Sequence, residues 1–142
     1  MKKFKSVLFL SVLVICLSFI GGCAIYPSVT INNWNFVPQQ ASGTEIDLSL
    51  IAGSELEFDF TVHNQDEARD LLASTFSVVF TKNQSETNAL SIYFDNHQTS
   101  LSFASFESRN LKLHVISTAT VSSSTKITIN YDGSTIIEYL VK

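Results

Sequence analysis

One stretch of the chain alternates strictly between apolar and polar side chains. Its apolar members are Leu56, Phe58, Phe60 and Val62, and charged or polar residues separate them throughout residues 55–63. Successive side chains of a β-strand point to opposite faces, whereas the pattern of a helix repeats every 3.6 residues. Residues 55–63 are therefore predicted to form a strand with one face in a dry core and the other in water.

With this stretch included, eight short runs from Glu45 onward share the period of two. Their apolar or aromatic positions are Ile46, Leu48 and Leu50; Leu56, Phe58, Phe60 and Val62; Phe76, Val78 and Phe80; Leu90, Ile92 and Phe94; Leu101 and Phe103; Leu111, Leu113 and Val115; Ile127, Ile129 and Tyr131; and Ile137, Tyr139 and Val141. Many short strands at such spacing are typical of a β-sandwich or barrel. We therefore predict an all-β fold.

A hairpin is predicted where Asp132-Gly133 separates two of these runs. A two-residue loop would set a glutamate of the last strand opposite Ile127, on the core face. An odd-length loop, with Gly133 left-handed in a bulge, keeps Ile127 opposite Tyr139 or Ile137. We therefore predict a turn with a glycine bulge.

A second hairpin is predicted around Gly53, and it has a consequence for charge. The same parity argument places Leu50 opposite Leu56 and Leu48 opposite Phe58. Pairing of these strands would collect five carboxylates on one outer face: Glu45, Asp47, Glu55, Glu57 and Asp59. Such a row is either a solvated face that discourages edge aggregation or a source of oxygen ligands for calcium, although no DxDxDG loop accompanies it.

Two segments carry weaker patterns. Residues 64–72 are polar and hold at most a single helical turn. In residues 23–44, which we assign to a tether, Val29 to Ile31 is predicted as a first strand, and Trp34 and Phe36 share one phase. The main domain is predicted over residues 45–142.

The N-terminus has the organisation of a secretory signal. A positive segment at residues 2–5 precedes an apolar run at 7–20, and two glycines and a cysteine follow. Ile20-Gly21-Gly22-Cys23 resembles the lipobox of bacterial lipoproteins. The resemblance implies removal of residues 1–22 and acylation, including palmitate, of Cys23, which would anchor the chain on the cell membrane or an outer membrane with its domain outside the cytoplasm. The competing interpretation is an uncleaved helix over residues 6–25, which is long enough to span a bilayer.

Composition narrows the choice of partners. Of 142 residues, removal of the signal would leave 120, an ordinary single domain. Nine Lys and Arg less the three of the signal leave six against thirteen Asp and Glu, a net charge of −7, so nucleic acid is a poor partner. Cys16 and Cys23 are the only cysteines, and the mature domain would have none to pair in a disulfide.

A second resemblance covers much of the body. Gly53, the alternating strand and then Val62-His63-Asn64-Gln65 resemble the B strand and following loop of bacterial immunoglobulin-like modules related to cell-adhesion domains. The stretch from Leu111 to Tyr131 resembles their later strands. The likeness implies an immunoglobulin-like antiparallel β-sandwich of about seven to nine strands. It implies binding or spacing and supplies no catalytic residue.

Residues suited to chemistry are scattered along the chain. His63, His97 and His114 match no metal-ligand spacing, and His63 and His114 fall on outward strand positions. No serine lies in GxSxG, and no glycine-rich phosphate loop is present. We therefore predict no catalytic residue, no cofactor and no metal site, and Cys23 is the one assigned site. Aromatic residues that would suit stacking on sugars are Tyr26, Trp34, Tyr93 and Phe106.

These features favour a membrane-anchored, non-catalytic lipoprotein whose domain binds another envelope protein. The alternatives are a lipoprotein that binds carbohydrate or calcium, and a small hydrolase, which would require a concave pocket with a perturbed histidine. The acidic row, the histidines and the aromatic residues discriminate among these functions, according to which of them the fold brings together.

Overall fold

The computed structural model describes residues 28–39, 45–46 and 51–142. The predicted signal, Cys23 and part of the hairpin predicted around Gly53 lie outside these residues. Within the described residues, two 3₁₀ turns, Ala73–Thr75 and Asp95–His97, accompany twelve strands. The strands are β1 (Val29–Ile31), β2 (Trp34–Pro38), β3 (Glu45–Ile46), β4 (Glu55–Asn64), β5 (Arg69–Leu72), β6 (Phe76–Lys82), β7 (Ser85–Asn88), β8 (Ser91–Tyr93), β9 (Ser100–Phe103), β10 (Ser108–Ile116), β11 (Lys126–Tyr131) and β12 (Ser134–Val141).

Ten of these strands form two five-stranded sheets. The order is β1-β2-β4-β10-β8 in the first sheet and β3-β12-β11-β6-β7 in the second, and β5 and β9 form a separate pair. With β2, β4, β10 and β8 taken as strands A, B, E and D, and β6, β11 and β12 as C, F and G, this is the order of an immunoglobulin-type sandwich. The predicted all-β sandwich is confirmed.

Three details of the predicted architecture need correction. The strands number twelve, more than the seven to nine expected, because short strands such as β1, β3 and β5 supplement the principal ones. The sheets are antiparallel except that β3 runs parallel to β12. The sandwich also includes β1 and β2, which are paired with each other and with β4, so its strands begin at Val29 and not at residue 45.

The period of two predicts the core well. Along β4 the side chains of Leu56, Phe58, Phe60 and Val62 are buried, and Glu55, Glu57 and Asp59 between them are exposed. Across the sandwich, the ring of Phe58 stacks on Tyr139 of β12 at a centroid distance of 5.5 Å. Trp34 and Phe36, which share one phase, are both buried.

The run containing Leu90 departs from the prediction. Phe94 is buried, but Leu90 is 69% exposed and precedes β8. The chain crosses between the two sheets at this point, since Ala89 N–H donates to Val78 of β6 and Leu90 N–H donates to Ile116 of β10. The alternation of buried and exposed side chains within one strand does not continue across such a crossover. Residues 64–72 also differ from expectation, because their second half is strand β5 and the helical turn follows at Ala73–Thr75.

The hairpin at Asp132-Gly133 has the predicted parity with a different construction. Ile127 pairs with Tyr139 and Ile129 with Ile137, as expected. However, the loop contains just two residues, Asp132 and Gly133, both with positive φ. The extra residue is Ile136, where the register shifts within β12. The bulge therefore lies in the strand and lets two adjacent isoleucines face inward.

The hairpin predicted around Gly53 is contradicted at its start. Glu45 and Ile46 belong to the second sheet, where they pair with Leu140 and Val141 of β12. Residues 47–50, including the predicted partners Leu48 and Leu50, lie outside the described residues.

A buried amide organises the end of the sandwich where β4 finishes. Asn64 is fully buried, and its Nδ2 donates to the carbonyl oxygens of Glu67 and Ala104 at 2.8 and 3.0 Å. Its Oδ1 accepts from the backbone N–H of Asp66 and from Nε of Arg69. Every hydrogen-bonding position of the amide is thus used to hold the loop before β5 and the loop after β9 against β4.

Replacement of Asn64 by alanine is expected to lower the free energy of unfolding by about 2–3 kcal/mol, because two carbonyls and two N–H donors lose a buried partner. Urea denaturation followed by fluorescence of Trp34, the single tryptophan, measures the change. Asn88→Ala, at an exposed position on β7, is the matched control. Equal stability of the two variants would contradict a structural role for the amide.

Tyr139 has a buried polar group without a partner in the described part of the chain, in contrast to Asn64. Its ring is fully buried, and its hydroxyl has no hydrogen-bond partner among the described residues. Burial, with a smaller contribution from the charge of Asp59, raises the pKa of this hydroxyl far above its usual value. Because an unpartnered buried hydroxyl costs about 1–3 kcal/mol, we expect Tyr139→Phe to increase the free energy of unfolding by about 1 kcal/mol. A loss of stability in urea denaturation would show that the hydroxyl has a partner.

Candidate functional site

The outer face of the first sheet gathers six titratable or aromatic side chains, which we call the His114 cluster: Glu55, Glu57, Tyr93, Asp95, His97 and His114. Strand register brings its centre together. His114 of β10 is the direct partner of Glu57 on β4 and of Tyr93 on β8. Glu55 lies two residues from Glu57 and therefore on the same face.

The 3₁₀ turn after β8 supplies the remaining members, Asp95 and His97. Phe94 is buried and anchors the turn, whose ends are joined by hydrogen bonds between Phe94 and Gln98 and between Gln98 and Asp95. Asn96 and His97 both have positive φ, so the chain reverses tightly here. The reversal places Asp95 against His114 and the His97 ring 4.6 Å from that of Tyr93.

Carboxylates engage both nitrogens of the His114 ring. Its Nδ1 contacts a carboxylate oxygen of Glu55 and lies 3.6 Å from Oε1 of Glu57, and its Nε2 lies 2.7 Å from Oδ1 of Asp95. Tyr93 covers one face of the imidazole, with ring centroids 5.3 Å apart and planes within 6° of parallel. The ring is therefore held in both position and rotation.

The electrostatics follow from these contacts. Burial is the largest single influence on His114 and favours the neutral ring, but the hydrogen bonds to Asp95 and Glu55 and their charges together outweigh it and raise the pKa of His114 above 6.5. The hydrogen bond from His114 lowers the pKa of Glu55 below 4.5. Lys112 Nζ lies 2.8 Å from Oε2 of Glu57, and this contact raises the pKa of Lys112.

A shallow cleft opens at the cluster. It has a volume of about 520 Å³ and is lined by Glu55, Tyr93, Asp95, Asn96, His97 and His114. A second cleft of about 390 Å³ shares Asp95 and continues along the sheet past Asp59, Asn110 and Lys112. The outer face of the first sheet thus carries a groove with charges of both signs and one partly exposed tyrosine.

The predicted acidic row does not exist as one unit. Glu55, Glu57 and Asp59 share the outer face of β4, but Glu45 lies in the second sheet, where it contacts Lys142 at 2.8 Å. Asp47 is outside the described residues. The row is divided because β3 pairs with β12 and not with β4. Its members on β4 face Lys112 and His114, which makes the surface mixed in charge.

The three histidines differ in their surroundings. His63 and His114 occupy outward positions as predicted, and His63 belongs to no cluster of potential ligands among the described residues. Sequence reasoning missed the approach of His97 and Tyr93 to His114. The available signal was the shared outward parity of Glu55, Glu57 and His114, but it contained no information on which strands are neighbours.

The aromatic candidates for sugar stacking also separate. Trp34 is 2% exposed and covered by the guanidinium of Arg69, 4.2 Å above its ring, so its ring faces are not available to a sugar. Tyr93 stacks on His114, and Phe106 is 67% exposed. Tyr26 and the lipidation candidate Cys23 lie outside the described residues.

Comparison with known proteins adds no further assignment. No protein-family model matches this chain. No curated protein matches it either.

Among the residues that the structure describes, no helix is long and apolar enough to cross a membrane. The alternative membrane helix at residues 6–25 lies outside that part of the chain.

The pH dependence of stability tests the His114 contacts. A histidine whose pKa is raised on folding stabilises the fold fully below its unfolded value, and the contribution disappears as pH rises through the folded value. Glu55, whose pKa is lowered, contributes above 4.5 and loses its contribution as pH falls through the folded value. Both contributions are therefore present between pH 4.5 and 6.5.

We expect the stability difference between the natural protein and His114→Gln to be largest near pH 5.5 and to shrink by pH 9. Urea denaturation in the presence of EDTA at the two pH values measures it. His63→Gln is the control, since His63 contacts no carboxylate among the described residues. A pH-independent difference would contradict an ionic role for His114.

Proposed function

We propose that this protein is an exported lipoprotein, held on a membrane through acylated Cys23, and that its immunoglobulin-like domain binds another envelope protein without catalysing a reaction. The lipobox-like sequence ending at Cys23 supports the anchor. The first described residue is Ser28, and four residues separate it from Cys23. An extended residue spans at most about 3.6 Å, so the domain would lie within about 20 Å of the lipid surface.

The observation that carries the binding proposal is the mixed-charge groove on the outer face of the first sheet. Tyrosine is enriched at protein-binding surfaces. Complementary charges across an interface select the partner. Lys112 and His114 alternate along β10 with residues that face the core, and their direct partners on β4 are the acidic Asp59 and Glu57. A partner that fits this groove would present charges of both signs.

The lining of the groove also supports a role without catalysis. A hydrolase of the serine or cysteine type needs a nucleophile within hydrogen-bond reach of a histidine that has a free nitrogen. The residues that line the cleft at His114 include no serine, threonine or cysteine. Both nitrogens of His114 contact carboxylates, so neither nitrogen is free to accept a proton from a nucleophile.

Photo-crosslinking in the native envelope tests the binding proposal. A crosslinking residue at Asn110, on the groove, is expected to capture a membrane or periplasmic protein, and the capture should be lost in a Lys112→Glu variant. The same residue at Glu138, exposed on the second sheet, is the matched control. Equal capture from both faces, or none from either, would contradict the assignment of the groove.

Fractionation tests the anchor separately. We expect the natural protein to stay with membranes in high salt and to be released by detergent, and Cys23→Ser to lose the lipid adduct in mass spectrometry of the intact protein. An unmodified Cys23 with residues 1–22 still attached would refute the lipoprotein proposal while leaving the binding groove open to its own test.

A further inference from the structure

We propose that Glu55, Glu57 and His114 form a binding site for one divalent transition-metal ion, with zinc as the best match. One ligand atom from each of the three residues lies within 4.8 Å of the other two. Strand register fixes this proximity, because His114 is the direct partner of Glu57 and Glu55 projects from the same face of β4. The proposal does not depend on the lipid anchor or on the protein-binding groove.

The contact between Asp95 and the far side of the His114 ring is an independent indication of a metal ligand. A metal-binding histidine almost always donates its other ring N–H to a carboxylate or carbonyl, which fixes the tautomer. Here Nε2 of His114 lies 2.7 Å from Oδ1 of Asp95. With one proton held at Nε2, loss of the proton at Nδ1 would leave a lone pair there that faces Glu55 and Glu57.

The other two ligands are oriented in the same manner. Oε2 of Glu57 is engaged by Lys112 at 2.8 Å, which leaves Oε1 on the side of His114. Glu55 interacts with the hydroxyl of Tyr93 as well as with His114. The ring of Tyr93 also stacks on the imidazole and fixes its plane. Neighbouring side chains therefore orient each of the three ligands.

The ligand set favours zinc over calcium. Calcium takes six to eight oxygen ligands, whereas one imidazole nitrogen with two carboxylate oxygens suits a borderline ion such as zinc. Three protein ligands leave a fourth tetrahedral position for water or a group from a partner. Glu55 and Glu57 are exposed and His114 is partly exposed, so an ion can enter from solvent through the cleft.

Binding of the ion exchanges one cation for another. In the metal-free protein a proton lies between Nδ1 of His114 and the carboxylate of Glu55. Zinc takes the place of that proton, which passes to the buffer, and the two carboxylates then balance the charge of the ion. The ion would link β4 to β10, and Asp95 would connect it to the turn after β8.

Isothermal titration with Zn²⁺ tests the proposal on the full chain in detergent, without a histidine tag and after EDTA treatment. Cys16→Ser and Cys23→Ser are included so that neither thiol competes for the ion. We expect the parent chain to bind one Zn²⁺. The dissociation constant for Zn²⁺ is expected to rise at least 100-fold in His114→Gln and about 10–100-fold in Asp95→Asn. His63→Gln, on the same face of β4, is expected to bind as the parent does.

Trp34 fluorescence and circular dichroism report whether each variant is folded, and Glu57→Gln replaces His114→Gln if the latter is not. Zinc binding that is unchanged in the folded variant overturns the proposal, as does the absence of stoichiometric zinc binding. Tighter binding of Ca²⁺ than of Zn²⁺ also overturns it, because a calcium site would not need the imidazole.

Discussion

The two-sided pattern of β4 is the constraint on which the rest of the molecule depends. Its inward side chains, from Leu56 to Val62, fill the space between the sheets, and both of its edges are hydrogen-bonded, to β2 and to β10. A slip of one residue would expose this apolar set, so the register is strongly determined. The same register places Glu55 and Glu57 opposite His114. The core and the candidate site are therefore opposite faces of one strand.

Local rules predict the elements that local chemistry determines. The alternation in residues 55–63 predicts β4, and the parity around Asp132-Gly133 predicts the pairing of Ile127 with Tyr139. The same rules fail where a distant partner decides. Glu45 pairs with β12 in the second sheet and not with β4. Leu90 is exposed because the chain crosses from one sheet to the other at this position. Neither the pairing of Glu45 nor the exposure of Leu90 can be predicted from the few residues around it.

The candidate site illustrates the same division. That Glu55, Glu57 and His114 point outward is predictable from period two. That they share a surface is not, because β4 and β10 are separated by five intervening strands in the chain. Asp95 and His97 lie on a 3₁₀ turn in which two successive residues, Asn96 and His97, have positive φ. Asparagine adopts this conformation readily, but the sequence alone does not predict it here. The apolar pattern thus determines the strands, and the pairing of those strands determines which polar side chains lie together.

The position of β12 bears on the export proposed for this chain. Although last in sequence, β12 is an inner strand of the second sheet, between β11 and β3. Its pairing with β3 joins Glu45 and Ile46 to Leu140 and Val141, and contacts of such long sequence separation form slowly. The second sheet therefore stays incomplete until β12 is present. A chain threaded through a narrow translocation channel from its N-terminus would remain unfolded during passage and close its sandwich on the far side.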